Sequence, residues 1–374
     1  MGAAYTPGLT VSAHTVIKKT RRLPIKGETL VNAGDTVEPH TVVARALLPG
    51  IMQTVRVADQ LGIEAKDLPN VLKVKVGDEV EKDQLIAESK GFMGLFKGQA
   101  RSPIKGTVEL IQGDFGHVGV REPPTVIEVL AYISGKVVEV LPEEGAIIET
   151  EGALIQGIFG VGGERQGTLM MIASSPDQAL NAEDIPAQCE GKVLVGGSGV
   201  TAEAIRKAAT NGALGIVVGG LKDSDLIAYL GRDIGVAITG QEDIPLSLIA
   251  TEGFGNVRMA DQTFELLKAL EGRAVSINGA TQIRAGVIRP EIIAPGHRPE
   301  NLAARADGAQ TLEIGGRIRA IREPYFGAIG RVTALPSDLV KVESGTLVRV
   351  LEAELEDGSR VTIPRANVEI IVEK

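Results

Sequence analysis

The residues whose type and spacing could carry chemistry fall in two groups. The first lies at strand ends in the middle of the chain. KVLVGG (192–197) reads as a strand and TAEAIRKAATNG (201–212) as a helix, with Ala204, Ile205, Ala208 and Ala209 at helical spacing. Ser198 and Thr201 sit at that junction, where a helix N-terminus offers N–H groups to an anion. Gly197 and Gly199 leave the backbone bare there, and Thr251, Glu252 and Gly253 end a later strand with a hydroxyl and a carboxylate. Gly197, Ser198, Gly199, Thr201, Thr251, Glu252 and Gly253 are thus the candidate ligand residues, for a ligand with an anionic group and a donor. The other reading is that glycines at strand ends make tight βα turns. Gly197-Ser198-Gly199 matches G-x-G-x-x-G only in part, so no dinucleotide is inferred.

The second group lies near the C-terminus: Arg317, Arg319, Arg322, Tyr325, Phe326 and Arg331. Its four arginines can cluster on one face. Residues 313–374 carry slightly more acid than base, a poor footprint for nucleic acid, which favours protein.

Other chemistry lacks its residues. Cys189 is the only cysteine, which excludes an intramolecular disulfide and a cysteine zinc site. His14, His40, His117 and His297 show no metal-ligand spacing. No nucleophile elbow or catalytic carboxylate pair stands out, so no catalytic residue, metal or cofactor is assigned. The densest glycine run, QGIFGVGGERQG (156–167), leads into the strand-like TLMMIAS rather than a helix, and the phosphate-loop pattern is absent. It reads as a structural turn or, less simply, a ligand loop.

These residues must be positioned by a chain of 374 residues, enough for two to four domains. The chain is 44% hydrophobic with 3% aromatics and no Trp, so its core is Val, Ile, Leu and Ala. Gly is 46 of 374 residues, about 12% against a typical ~7%, which predicts many tight turns. A net charge of −9 disfavours non-specific nucleic-acid binding. No stretch of about 18 apolar residues and no apolar leader is present, which predicts a cytoplasmic protein without a membrane span.

The N-terminal half repeats itself. GETLVNAGDTVEPHTVVARA (27–46) and LKVKVGDEVEKDQLIAESK (72–90) share a Gly-Asp turn, at Gly34-Asp35 and Gly77-Asp78, a β-branched residue two places on, and an apolar strand. Lys105-Gly106-Thr107-Val108 and Ser134-Gly135-Lys136-Val137 are matching hairpins. Between the copies, 57–70 predicts a short helix ended before Pro69. Lys18, Lys19, Arg21 and Arg22 read as an anionic contact or as charges protecting a strand edge.

Short strands punctuated this way resemble the biotinyl/lipoyl-like barrel-sandwich hybrid, where V-x-x-GD-x-V-x-x-x-Q-x-L precedes SP-x-x-G-x-V. The resemblance covers residues 1–172 and implies one or two interlocked barrel-sandwich modules. Carriers of that family modify a hairpin lysine flanked by Met or Asp. Lys90 and Lys97 lack those flanks, so no biotin or lipoate is expected. Phe92, Met93, Leu95 and Phe96 between them read as a loop folded onto the barrel or as a docking loop.

Residues 174–294 alternate strands and helices, which predicts a parallel α/β layer similar to small swivelling domains. Strands are expected at 215–220, 235–240, 245–251 and 274–279, and helices at 224–232 and 259–272. Residues 295–312 read as a linker. The stretch RIRAIREPYFGAIGRV, within 313–374, resembles the KOW-type SH3-like barrel, which implies exposed aromatics at Tyr325 and Phe326 and binding of RNA or protein.

The fold expected is multi-domain and mainly β, with a small α/β domain and a C-terminal SH3-like barrel. The function expected is a non-enzymatic adaptor with a protein partner. The alternatives are an RNA- or transcription-associated factor, and a small-anion sensor or enzyme at the α/β domain. The sequence sets no oligomeric state.

Overall fold

The computed structural model describes residues 9–89, 98–231, 239–240, 242–282, 288–298, 312–322, 324–336, 338–341 and 347–371. The chain opens with Val11–Arg22 (β1), Glu28–Thr29 (β2), Thr36–Val37 (β3) and Val42–Leu48 (β4). Met52–Arg56 (β5), Val57–Leu61 (α1), Leu68–Val71 (α2), Glu79–Val80 (β6), Leu85–Glu88 (β7), Gln99–Arg101 (β8), Gly106–Gln112 (β9) and His117–Arg121 (β10) follow. Thr125–Leu130 (β11), Gly135–Leu141 (β12) and Gly145–Gln156 (β13) complete this half.

The sequence repeat is a structural one. Gly34 and Gly77 have φ of +96° and +95°, which glycine adopts without strain. Gly34 N–H donates to Val137 O at 2.8 Å, and Gly77 N–H to Val108 O at 2.7 Å. Asp35 takes the Asn32 N–H at 2.8 Å, and Asp78 the Lys75 N–H at 2.9 Å. Ladders follow the same rule. β4 and β11 pair Val42 with Leu130, Ala44 with Val129 and Arg45 with Glu128. β7 and β8 pair Leu85 with Arg101, Ala87 with Ala100 and Glu88 with Gln99, with the same one-residue bulge. The second copy therefore sits inside the first, inserted between β4 and β11. Each copy has its own core. Ile17, Val37, Val43, Ile133, Val137 and Ile148 fill the outer module, and Val55, Leu68, Val80, Ile86, Val108 and Val118 fill the inner one. Pro69 lies in the first turn of α2 instead of ending a helix, since its missing N–H has no partner to lose there.

Phe159–Val161 (β14), Glu164–Met171 (β15), Lys192–Val195 (β16), Ala202–Thr210 (α3), Gly215–Leu221 (β17), Asp223–Leu230 (α4), Ser247–Phe254 (β18), Asp261–Ala269 (α5), Ala274–Asn278 (β19) and Glu291–Pro295 (β20) form the α/β part. β15, β16, β17 and β18 are parallel neighbours, as the strand–helix alternation predicts. The strand expected at 235–240 falls largely outside the described residues. The sheet does not stop at the boundary expected between 172 and 174. It has eleven strands and runs β14-β18-β17-β16-β15-β19-β20-β13-β12-β3, with β1 also on β13. β13 is long enough to be shared: its first half pairs β12 and its second half pairs β20. The outer module and the α/β layer thus have one hydrogen-bonded sheet in common.

Arg317–Ala320 (β21), Ile329–Ala334 (β22), Leu339–Lys341 (β23), Leu347–Leu355 (β24), Arg360–Pro364 (β25) and Val368–Ile371 (β26) make a six-stranded sheet. Its core holds Ile318, Val332, Leu351, Ala353, Ile363 and Val368. The β24–β25 turn has Gly358 at φ +82°. The protein is mainly β, in several sheets.

Candidate functional site

The junction before α3 is built as the sequence predicts, but its donors have partners within the chain. Thr201 caps α3: its Oγ1 accepts from Ala204 N–H at 3.3 Å. The Ala202 N–H, one of the groups an anion would use, donates to Asp225 Oδ1 at 3.1 Å. Gly197 N–H donates to Gln178 O at 2.8 Å, and the Ser198 hydroxyl to Asp177 O at 2.7 Å. A Cβ on Gly197 would lie 2.5 Å from Ser175 O, so this glycine admits a neighbouring backbone. Gly199 stands similarly against the Asn256 side chain. Thr251 is buried and donates to Val218 O at 3.3 Å. The glycines at this edge let loops pack closely, which is the tight-turn reading.

Glu252 and Gly253 face the last module. Glu252 Oε2 accepts from Arg319 at 2.9 Å, and Oε1 from the Ala260 N–H at 3.2 Å. Arg319 also donates to Glu369 at 2.7 Å, and Glu369 pairs with Arg289 at 2.9 Å. The side chains of Arg319 and Glu369 are 3% and 1% exposed, those of Arg289 and Glu252 11% and 13%. Buried charges need this pairing, because each alone would lose its hydration without return. Burial pushes the Arg289 guanidinium below its ordinary value, with Glu369 opposing and Arg319 adding to the fall. Next to this network Phe254 packs between Phe159 and Phe326, at ring-centre distances of 5.0 and 5.9 Å. A Cβ on Gly253 would sit 3.5 Å from Gly327 O. The two candidate groups therefore meet: much of the second covers the end of β18, where part of the first lies.

This corrects the expected exposure of the second group. Arg319 is interior and paired within the chain. Tyr325 and Phe326 are half-buried, Tyr325 against the last module's core and Phe326 against the α/β core. Arg317 and Arg331 lie opposite each other on β21 and β22, and bond Glu356 at 2.8 Å and Gly315 O at 3.1 Å. Arg322 is half-buried. Sequence reasoning missed Glu369, whose signal was a single carboxylate in the apolar run NVEIIV, and gave Arg289 no partner.

The glycine run has its own occupant. Gly162, at φ +83°, and Gly240 both direct their N–H groups to Glu242 Oε2, at 2.9 and 2.8 Å. The basic cluster on β1 is paired: Lys18 with Glu149, Lys19 with Glu291, Arg21 with Glu164 and Arg22 with Glu144, at 2.5–3.0 Å. Lys90, Lys97 and the apolar loop between them lie outside the described residues. Among the described residues no three His, Cys, Asp or Glu side chains are grouped to hold a metal, and no helix is long and apolar enough to cross a membrane. No protein-family model matches the sequence, and no curated protein matches it.

Proposed function

We propose that this protein is a multi-domain adaptor that holds a macromolecular partner, a protein, on a rigid arrangement of modules. The observation that carries this reading is the joining of the modules: one eleven-stranded sheet shared by the outer module and the α/β layer, and the Arg289–Glu369–Arg319–Glu252 network between the α/β part and the last module. A polar, hydrogen-bonded junction fixes orientation more than it adds stability. That suits a chain whose role is to present surfaces in a set relation. The matched turns and ladders of the two N-terminal copies support nested barrel-sandwich modules. The six-strand arrangement of the last module supports an SH3-like barrel. Cross-linking in native cells followed by capture of the full chain tests the reading. A stoichiometric protein cross-linked at defined positions is expected. Recovery of RNA at Arg317 and Arg331 without a protein would replace the reading with the RNA-associated one.

A further inference from the structure

The β4–β11 pairing continues past the repeat. Ala46, Leu47 and Leu48 pair with Ile127, Val126 and Thr125. The ribbon then enters the inner module, where Glu122 N–H donates to Ile51 O at 3.0 Å and Met52 lies opposite Arg121. This neck between the nested modules is apolar and bare: Leu47 is 59% exposed, Leu48 43%, Ile51 69%, Met52 39% and Val126 53%. β11 is also an edge. Among the described residues it has a ladder with β4 alone, so alternate backbone N–H and C=O groups point outward, save that Leu130 O accepts from Arg21 Nε at 2.6 Å.

Two other edge strands differ from it. β1 carries four cations, each paired with a glutamate, and charged side chains of this kind blunt an edge. β8, the counterpart of β11 in the inner copy, is three residues long and reads Gln-Ala-Arg. β11 reads TVIEVL, and its one charge, Glu128, is matched by Arg45 across the ladder at 2.7 Å.

We propose that β11 is a docking edge for an extended, largely uncharged peptide segment of a protein partner, which adds as a further strand with alternate apolar side chains against Val126 and Leu130. This rests on the adaptor reading and names its surface. Three features select that occupant. Outward backbone groups call for another backbone, since strand addition draws its affinity from main-chain hydrogen bonds. The Arg45–Glu128 pair leaves the ribbon without net charge, so nothing there attracts a charged segment. The bare apolar side chains, Leu47, Leu48, Ile51, Met52 and Val126, lie on a ribbon two strands wide, against the roughly 20–30 residues a side of a stable complex between folded proteins. A single strand suits so narrow a surface better than a second copy of the chain.

The test titrates a fluorescein-labelled nine-residue peptide, alternating valine with threonine and lysine, into the full chain, read by anisotropy and by hydrogen exchange at 125–130. Saturable binding is expected, with exchange across 125–130 slowed about tenfold or more on binding. Val126→Lys and, as a second variant, Leu130→Lys should each weaken binding about tenfold or more with the thermal midpoint unchanged, because both are exposed side chains of β11 itself. Absence of saturation at millimolar peptide, or full binding by both variants, overturns the proposal. So does a concentration-dependent dimer in sedimentation that Val126→Lys abolishes, which would give the edge to a second copy. Failure here leaves the adaptor reading in place with a different surface. Failure of the native cross-linking removes that reading whatever the peptide does.

Discussion

Arg319 on β21 and Glu252 at the end of β18 are hydrogen-bonded at 2.9 Å, although 67 residues separate them. Each belongs to a different group of candidate residues, and each is the other's partner. Arg319→Ala should leave Glu252 buried without its cation and Glu369 with Arg289 alone, at a cost of about 3–5 kcal/mol in urea unfolding. Arg319→Met combined with Glu252→Gln, which leaves Glu369 to Arg289, should recover much of that loss. Arg317→Ala, which breaks a largely exposed pair with Glu356, should cost under about 1 kcal/mol. Equal losses for Arg319→Ala and Arg317→Ala would mean that the junction is not closed to water.

The paired turns predict paired energetics. Gly34 and Gly77 share a left-handed backbone, and neither has an atom within 4 Å of where a Cβ would stand. Gly34→Ala and Gly77→Ala should therefore each cost only the backbone term, about 1–2 kcal/mol. A difference between them larger than about 1 kcal/mol would show that the two turns are not equivalent.

His297 is buried, and burial, then Arg273 and His14, lowers its pKa from the ordinary 6.5. The folded state favours the neutral ring. The stability this contributes is present above the unfolded value and is lost as pH falls through it toward the folded one. Ring NMR is expected to show His297 titrating at lower pH than the ordinary value, and urea midpoints should fall as the pH drops below about 6.5. Replacing His297 with Gln should flatten that part of the curve. A His297 ring that titrates at the ordinary value would contradict its burial.

Tyr132 gives the opposite window. Burial, then Glu291 and Glu164, raises its phenol well above 10.0. The stability tied to the neutral phenol is present below the unfolded value and lost as pH rises beyond it. Of the four tyrosines in the chain, at least one should fail to ionise near pH 10 in an absorbance titration until the protein unfolds. Ionisation of all four in one step near pH 10, with the fold intact, would refute this.

Local chemistry was legible in the sequence, and long-range pairing was not. Gly34-Asp35, Gly77-Asp78, the Thr201 cap and Gly358 declare themselves through φ and side-chain acceptors, which act within a few residues. Pro69 misled because a proline is compatible with both the start and the end of a helix. The shared strand β13 was hidden because alternation gives a strand's faces and says nothing of its neighbours. The sequence singled out Glu252 as a ligand residue and Arg319 as a partner contact, and each has a bonding partner within the chain. Their mutual bond depends on how two modules pack, which no local pattern encodes. The β18 edge resembled a ligand site because glycine serves close backbone packing and ligand approach alike.

The insertion of one copy within the other sets an order of folding. The inner module draws its ladders from residues between Met52 and Arg121, so it can assemble from a contiguous stretch of chain. The outer copy needs β4 to find β11, with the whole inner module between them. Once the inner module is formed, the β5–β10 ladder holds Met52 beside Arg121, and Leu48 and Thr125 are only a few residues from closure. The entropy of a long loop is then replaced by that of a short one. In pulse-labelled refolding, amides of β9 and β10 should become protected before those of β4 and β11, and the shared sheet, which needs β12 and β13 in place, should close last.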